Sequence, residues 1–599
     1  MNSSHVAPPG RTGGWLRRTA LSFLFAAAGW VAPAVEPTGV TRTWTGAGGD
    51  ADWFNAANWD SGLPEAGDDV VINTAKASVL LTNTPPALGA FTIGAGTPAN
   101  TATLTLSNWT TRLQADTVTV GAYGVVTCSG PFTNAPAMSN RVWIVCDDLS
   151  IARNGSVHAD GRGYQGGYGL RGPGSGPGGG TNSLASAGYG GRGGSRGTLS
   201  VYFPWGGPEY GTAETPIEPG SGGCGTASAT GGAGGGAIRI EAANRVVICG
   251  TLSANGVSGD GFTGSGSGGA VSIVCDTFIG TNGIVRAEGG HHGSYSVGRS
   301  SAGGGRIAID FNSAAQAALP PPRDVTFSAN RGATQPDQGW PMADLGTLWF
   351  STDALIDLDG ASLYGKLLFG NVTDCWSPSH LRLTNGWARL YPDSVRLEVA
   401  GEFCLSGNGG EERITENGTR WDVGGCAILV TNRSPVTFRF SETVPSLKVG
   451  GNLVVSNQAI LHVFSAAAED PVATTNLGAL VRVAGDLVIR ANSWVCPHSH
   501  VHNGASPRFE VRNLLVPDAG GGINAVGRGY LGGLSPLDDA GGPGRGAGRG
   551  GGGYGGHGGM HSYPRGCPYG SLREPCDPGS GGNTTYSGGW MGGNGGGLI

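Results

Sequence analysis

Short runs in which apolar and polar residues alternate recur along this chain, most of them bounded by glycine. One form is Gly-x-apolar-x-Ala-x-Gly, in Gly155-Ser-Val-His-Ala-Asp-Gly161, Gly250-Thr-Leu-Ser-Ala-Asn-Gly256 and Gly283-Ile-Val-Arg-Ala-Glu-Gly289, with a close relative at Gly521-Gly-Ile-Asn-Ala-Val-Gly527. A second is glycine followed by apolar residues two apart: Gly236-Ala-Ile-Arg-Ile240, Gly269-Ala-Val-Ser-Ile273 and Gly305-Arg-Ile-Ala-Ile309. A period of two puts the apolar side chains on one face of a strand, and glycine lets the chain turn at each end. Ile238, Val271 and Ile307 therefore read as equivalent inward positions of successive rungs. Longer strands follow the same rule, with a small or polar bend in the middle: Val395–Leu405, Leu447–Val455, Val481–Ile489 and Phe509–Val516.

Short strands facing one core and joined by corners predict an all-β parallel β-helix, or β-solenoid, with long glycine-rich insertions, since each rung buries its apolar face against its neighbours. The pattern makes the coil continuous from about Ala102 onward. Two packed sandwiches remain an alternative; they require antiparallel hairpins, for which Asn154-Gly155 and Asp260-Gly261 are candidate turns.

The glycine-rich unit occurs twice. Ala159-Asp-Gly-Arg-Gly-Tyr-Gln-Gly-Gly167, Glu218-Pro-Gly-Ser-Gly-Gly223 and Gly231-Gly-Ala-Gly-Gly-Gly-Ala-Ile238 return as Ala525-Val-Gly-Arg-Gly-Tyr-Leu-Gly-Gly533, Asp577-Pro-Gly-Ser-Gly-Gly582 and Gly592-Gly-Asn-Gly-Gly-Gly-Leu-Ile599, 359 to 366 residues later. A duplication of this kind marks a modular, repetitive architecture. Because Ile599 aligns with Ile238 inside a strand, the polypeptide is expected to continue beyond it. The organisation predicted is a signal peptide over 1–34, a Trp-rich β cap over 35–101, a coil with the first glycine-rich unit over 102–350, its continuation over 351–518, and the second glycine-rich unit over 519–599.

Composition sharpens this picture. Glycine fills 114 of 599 positions and only 13% of residues are charged, a balance foreign to helical enzymes because glycine inside a helix costs about 0.5–1 kcal/mol relative to alanine. The glycine clusters between the strands (161–236, 256–269, 289–305 and 541–597) have two readings: flexible linkers, or extended three-fold glycine strands packed beside the coil, for which Tyr164, Tyr168, Tyr189, Tyr210, Tyr530, Tyr554 and Tyr569 would supply contact area. The net charge of −6 carries no long run of one sign, so neither a nucleic-acid footprint nor an acidic tail is evident. Eleven cysteines, with no CxxC pair, leave a zinc ribbon or a thioredoxin-type site without support. Several, such as Cys146 and Cys275, sit in apolar runs as small hydrophobes.

At the N-terminus Arg11, Arg17 and Arg18 precede the apolar run Ala20–Ala34, in which Ala32 and Ala34 are spaced for signal peptidase. Export is the expectation, with an uncleaved N-terminal anchor as the alternative. No later run reaches the roughly 20 apolar residues of a membrane span, so none is predicted in the mature chain.

Residues 43–72, Thr-Trp-Thr-Gly-Ala-Gly-Gly-Asp-Ala-Asp-Trp-Phe-Asn-Ala-Ala-Asn-Trp-Asp-Ser-Gly-Leu-Pro-Glu-Ala-Gly-Asp-Asp-Val-Val-Ile, resemble the opening of bacterial secreted and autotransporter-like surface proteins, in which such a segment precedes a β-helical passenger. Residues 155–350 are similar to glycine-rich exported proteins of bacteria and plant cell walls, and more faintly to the glycine-rich region of anaplastic lymphoma kinase. The resemblance implies an exported structural or adhesive surface protein whose partners are extracellular polysaccharide or other surface proteins; it brings no catalytic residues with it.

For chemistry, Cys496-Pro-His498-Ser-His500-Val-His502 is the best metal candidate, since strand alternation points these side chains to one face and His-x-His can hold Zn²⁺ or Cu²⁺. Same-face neighbours lie about 6.5–7 Å apart, so two could share an ion and four would need a bend at Pro497; an exposed polar rung is the simpler reading. The Arg-Gly run Gly544–Tyr554 imitates RNA-binding segments, against which the export signal speaks. The alternative function is a carbohydrate-active β-helix enzyme, lyase or hydrolase, or a carbohydrate-binding module; cleavage would need paired carboxylates or a Ca²⁺ cluster with a base. Asp147-Asp148, Asp538-Asp539, Asp357 with Asp359, and Glu411-Glu412 are available, though as turn and corner residues they need no catalytic role.

Overall fold

The structure, a computed structural model, describes residues 39–599 apart from 95, 134–137, 171, 182–184, 195–205, 261–262, 292–300, 321–324, 334–342, 357–358, 393, 407–419, 424–425, 430–436, 441–443, 468–476, 534–539, 561–563 and 584–591. The signal-peptide segment 1–34 and the carboxylates Asp357, Glu411, Glu412, Asp538 and Asp539 thus lie outside the described residues.

The chain winds as a parallel β-helix. Every pairing between described strands is parallel except one hairpin, Cys426–Leu429 with Thr437–Phe440, so the sandwich alternative falls. The strand Ala237–Ile248 shows one circuit. Its first half pairs with Val142–Ile151 on one side and Ala270–Cys275 on the other; a bend between Ala242 and Arg245 turns its second half into another ladder, against Thr277–Gly280. Thr251–Ser253 then enters a third ladder between Ser156–His158 and Ile284–Arg286. Alternation sends Val142, Ile238, Val271, Ile307 and Leu348 inward in one register column, each at most 1% exposed.

The ladders begin before residue 102, the start expected from the strand pattern. Thr41–Thr43, Asp69–Ile72 and Leu88–Ile93 already pair in sequence, and Leu88–Ile93 joins Leu113–Val120. Trp44, Trp53 and Trp59 pack edge-to-face, with centroids 5.2 and 4.9 Å apart, and Trp53 stacks on Phe91 of the coil. The Trp-rich motif is a plug of aromatic rings continuous with the core. Further along, where Thr277–Gly280 would need a strand beside it, the helix Ser313–Gln316 stands instead. Gln316 accepts from the Phe278 amide and donates to the Phe278 carbonyl, completing the backbone pairing that a strand would have made. An inward row of Phe278, Phe327, Phe350, Phe369 and Trp376, with centroids 4.8–6.2 Å apart, fills this stretch of the coil.

The glycine clusters leave the coil at one corner, between the third ladder and the first, and their described parts are packed. Hydrogen bonds from one segment to a given neighbour recur every three residues. Gly220 and Gly223 donate to Gly235 and Gly232; Gly222 and Gly225 donate to Ser175 and Gly172; Gly264 and Ser267 donate to Cys224 and Ser221. Three neighbours served in rotation at a spacing of three is the geometry of polyproline-II strands, which make no internal hydrogen bonds and present their amides outward. The second unit repeats the contacts. Gly163 to Gly234, Tyr164 to Gly220, Gly167 to Gly223 and Gly236 to Ala159 have counterparts in Gly529 to Gly595, Tyr530 to Gly579, Gly533 to Gly582 and Gly597 to Ala525.

Glycine is required here for space. A Cβ on Gly235 would lie 2.1 Å from the Ala254 carbonyl oxygen, and one on Gly234 would lie 2.1 Å from that of Gly220, whereas Gly593 and Gly596 face open space.

Val271→Asp should cost about 3–5 kcal/mol by leaving a buried charge unpaired, and Arg239→Asp, one position off the column, should cost little; thermal unfolding of the two variants measures the difference. Gly235→Ala should lose about 1–3 kcal/mol through overpacking, against a negligible loss for Gly593→Ala, and should speed amide exchange from Gly220 to Gly236.

Candidate functional site

In the first ladder the residues next to the inward column point out of the coil. Ala237, Ala270, Arg306, Thr347, Lys366 and Arg389 occupy successive rungs of one outward column. An outward column ordinarily meets water, yet Arg306 is 6% and Lys366 1% exposed. The first glycine bundle lies over them. Arg306 donates through Nε and Nη2 to the Tyr210 carbonyl at 3.0 and 2.7 Å and through Nη1 to Thr347, with its guanidinium over the Tyr189 ring. Lys366 Nζ reaches Glu209 at 2.6 Å, Asp344 at 2.8 Å and the Gly190 carbonyl at 3.4 Å, and Arg389 also approaches Asp344 at 3.4 Å. Burial alone would raise the Asp344 pKa; Arg389 and Lys366 outweigh it and hold the carboxyl well below its usual range, while Asp344 and Glu209 hold Lys366 protonated. The cluster is a charge-neutralised clamp between bundle and coil.

The histidine candidates lie at the seam between the coil and the second bundle. The strand Trp494–His498 ends at His498, and the chain turns at residues 501–503. The expected alternation therefore stops at His498, and Cys496, His498, His500 and His502 do not share a strand face. His498 instead packs on Phe464 at 4.2 Å and lies 2.8 Å from His462 Nδ1 through its own Nε2. Arg528 Nε donates to the same Nε2 at 3.3 Å; that nitrogen accepts, which makes His462 the Nδ1–H tautomer. With its lone pair turned to these donors, His498 Nε2 is not directed at an ion. His500 is buried and accepts from the Asn503 amide; desolvation, and then His502, push its pKa down to about 4. Burial lowers His502 as well. Among the described residues no three His, Cys, Asp or Glu side chains are grouped to hold a metal; of the Zn²⁺ or Cu²⁺ candidates, His498 is hydrogen-bonded to His462, His500 is buried and His502 lies exposed at the turn.

Of the paired carboxylates, Asp148 faces Arg245 at 3.4 Å at the bend between two ladders. The Arg-Gly run Gly544–Tyr554 is part of the second bundle, Gly544 donating to Ser580 Oγ and Gly553 to the Gly544 carbonyl. Cys128, Cys146 and Cys275 are free thiols in the core, their pKa values pushed up to about 12 by burial. The clamp residues escaped sequence reasoning because Glu209 and Lys366 are 157 positions apart; the available signal was that Lys366 is one of only three lysines and stands at an outward position of an apolar strand.

Comparison with known proteins found no matching family, no curated relative and no solved structure of similar fold.

Lys366→Met should cost about 3–5 kcal/mol by stranding Asp344 and Glu209 without their shared cation. Asp344 is depressed on folding, so its contribution is complete above the unfolded carboxyl pKa of 3.8 and is lost as pH falls below it; melting curves of Asp344→Asn should be flatter than wild type in that range. His500, depressed from 6.5 to about 4, makes the folded state lose stability as pH falls through that window, and His500→Gln should remove part of the slope.

Proposed function

We propose that the protein is an exported structural or adhesive component of a cell surface or extracellular matrix, whose partners are extracellular polysaccharide or other surface proteins. The observation that carries this reading is the investment of the chain in a scaffold: a continuous parallel coil with two hydrogen-bonded glycine bundles, the first clamped to the coil through Arg306 and Lys366. A scaffold of stacked rungs presents long, regular faces and gains stability from each added neighbour, which suits a load-bearing or adhesive role. The Arg-led apolar N-terminus and the resemblance of residues 43–72 and 155–350 to surface proteins support export.

The purified full chain, incubated with a panel of neutral and acidic polysaccharides, is expected to release no product detectable as new reducing ends or unsaturated uronates. Product release from any member of the panel would overturn the structural reading in favour of a lyase or hydrolase.

A further inference from the structure

At the edge of the first bundle, where Trp109 packs with Tyr189 and Tyr210, the outward face of the first ladder is built from arginine and tryptophan, with Arg141 buried. Trp143 pairs in register with Arg239 on the next rung, and the guanidinium of Arg239 lies 5.0 Å from the centre of its indole ring. Arg112 and Arg141 approach the same ring at 5.5 and 4.1 Å, and Arg141 also covers Trp109 at 4.7 Å while donating to the Trp109 carbonyl at 2.8 Å. Three guanidiniums thus converge on one indole. Glu241 is the only carboxylate among them: it accepts from Trp143 Nε1 at 3.2 Å and pairs with Arg239. Among the described residues neither Arg112 nor Arg141 has a carboxylate within ion-pair distance. Burial, followed by repulsion from Arg239, pushes the Arg141 pKa down to about 10.

Three guanidiniums around one indole, with Glu241 the single carboxylate among them, leave a local excess of positive charge in a chain of net charge −6, a prearranged receptor for anions. The indole gives them a cation–π seat and fixes their planes, which conserves the donor forks that match carboxylate or sulfate bidentately. The chemistry also discriminates between polyanions. Single-stranded nucleic acid and neutral glycans need an open aromatic face on which to stack; the Trp143 ring is already occupied by guanidiniums, and what remains toward solvent is N–H donors. Parallel rungs repeat about every 4.8 Å, giving a donor array that runs along the coil axis and fits an extended chain carrying acidic groups at intervals.

We propose that Arg112 and Arg239, seated on Trp143 beside the buried Arg141, form a binding shelf for an acidic polysaccharide, its carboxylate or sulfate groups docking on these two partly exposed guanidiniums. The assignment rests on the extracellular reading above for its choice of polymer.

The test is affinity electrophoresis of the full chain through gels containing polygalacturonate, heparin or dextran. Retardation is expected in the two acidic gels and not in dextran, with loss of retardation at high salt. Arg112→Glu and Arg239→Glu should each weaken binding about tenfold, the equivalent of one charge-assisted contact, whereas Arg482→Glu, in an exposed ion pair with Glu510 elsewhere on the coil, should leave it unchanged. Trp143→Phe, which keeps a ring under the guanidiniums, should lose less than Trp143→Ala, with melting curves verifying that both fold. Unchanged retardation of the two charge reversals, equal retardation in dextran, or displacement by oligo-dT at lower concentration than polygalacturonate would each overturn the proposal. Polymer cleavage with binding intact would sink the structural role and leave the shelf; absent retardation of a chain recovered from outside cells would sink the shelf and leave the export reading.

Discussion

The amide-to-carbonyl hydrogen bond between glycine strands that lack Cβ atoms is the interaction on which the rest depends. Each such bond is worth about 1 kcal/mol net, comparable to the extra conformational entropy that a glycine loses on ordering. A single strand therefore gains almost nothing by packing. Stability comes only when each strand serves several neighbours at once, as Gly220–Gly225 does with the segments at 231–236, 172–175 and 264–267. That arrangement demands backbone-to-backbone approach, and the carbonyl oxygens about 2 Å from a hypothetical Cβ at so many positions record how completely it excludes side chains.

A bundle held together this way has little apolar surface of its own, and the coil supplies what it lacks. Tyr189 and Tyr210 pack with Ala237 and Ala270 on the outward face of the first ladder, so the small residues of two rungs receive the aromatic rings of the bundle. Arg306 and Lys366 complete the contact with hydrogen bonds to bundle carbonyls and carboxylates. The cations are buried, and burial of this kind is tolerable only because each is paired and hydrogen-bonded. The outward face of a β-helix thereby becomes an interior, and a third layer is added to the fold without an additional apolar core.

The two copies of the unit share their internal bonding and differ where they meet the coil. The serine that ties the aromatic pair to the backbone is preserved: Ser221 bonds Tyr210 and accepts from Gly178, as Ser580 bonds Tyr569 and accepts from Gly544. The ring pairs correspond as well, with centroids 4.6 and 5.0 Å apart. Beneath the first copy stand arginine and lysine; at the seam of the second stand His462, His498 and Arg528. Imidazole is a different kind of titratable group from guanidinium and ammonium, so the two seams carry unlike chemistry even though the bundles themselves are alike.

The alternation of apolar residues determined the coil. Ile238, Val271 and Ile307 fall in one inward column because a period of two is a local property of strands, and it needs no knowledge of distant partners. The duplication was equally local, being identity of phrase. The sequence left open whether the glycine clusters were linkers or packed strands, since composition alone is compatible with both; the choice was made by neighbours that meet only after the coil has stacked. The same holds for chemistry. Alternation across Cys496–His502 pointed to a shared face, but a turn after His498 overrode it, and a turn is decided by where the next ladder lies. The Lys366 clamp and the Arg–Trp shelf join residues 157 and 98 positions apart. Such pairs form because a parallel coil brings every circuit back above the last, whatever length of glycine-rich chain has been looped out between them, and only the tertiary structure states that register.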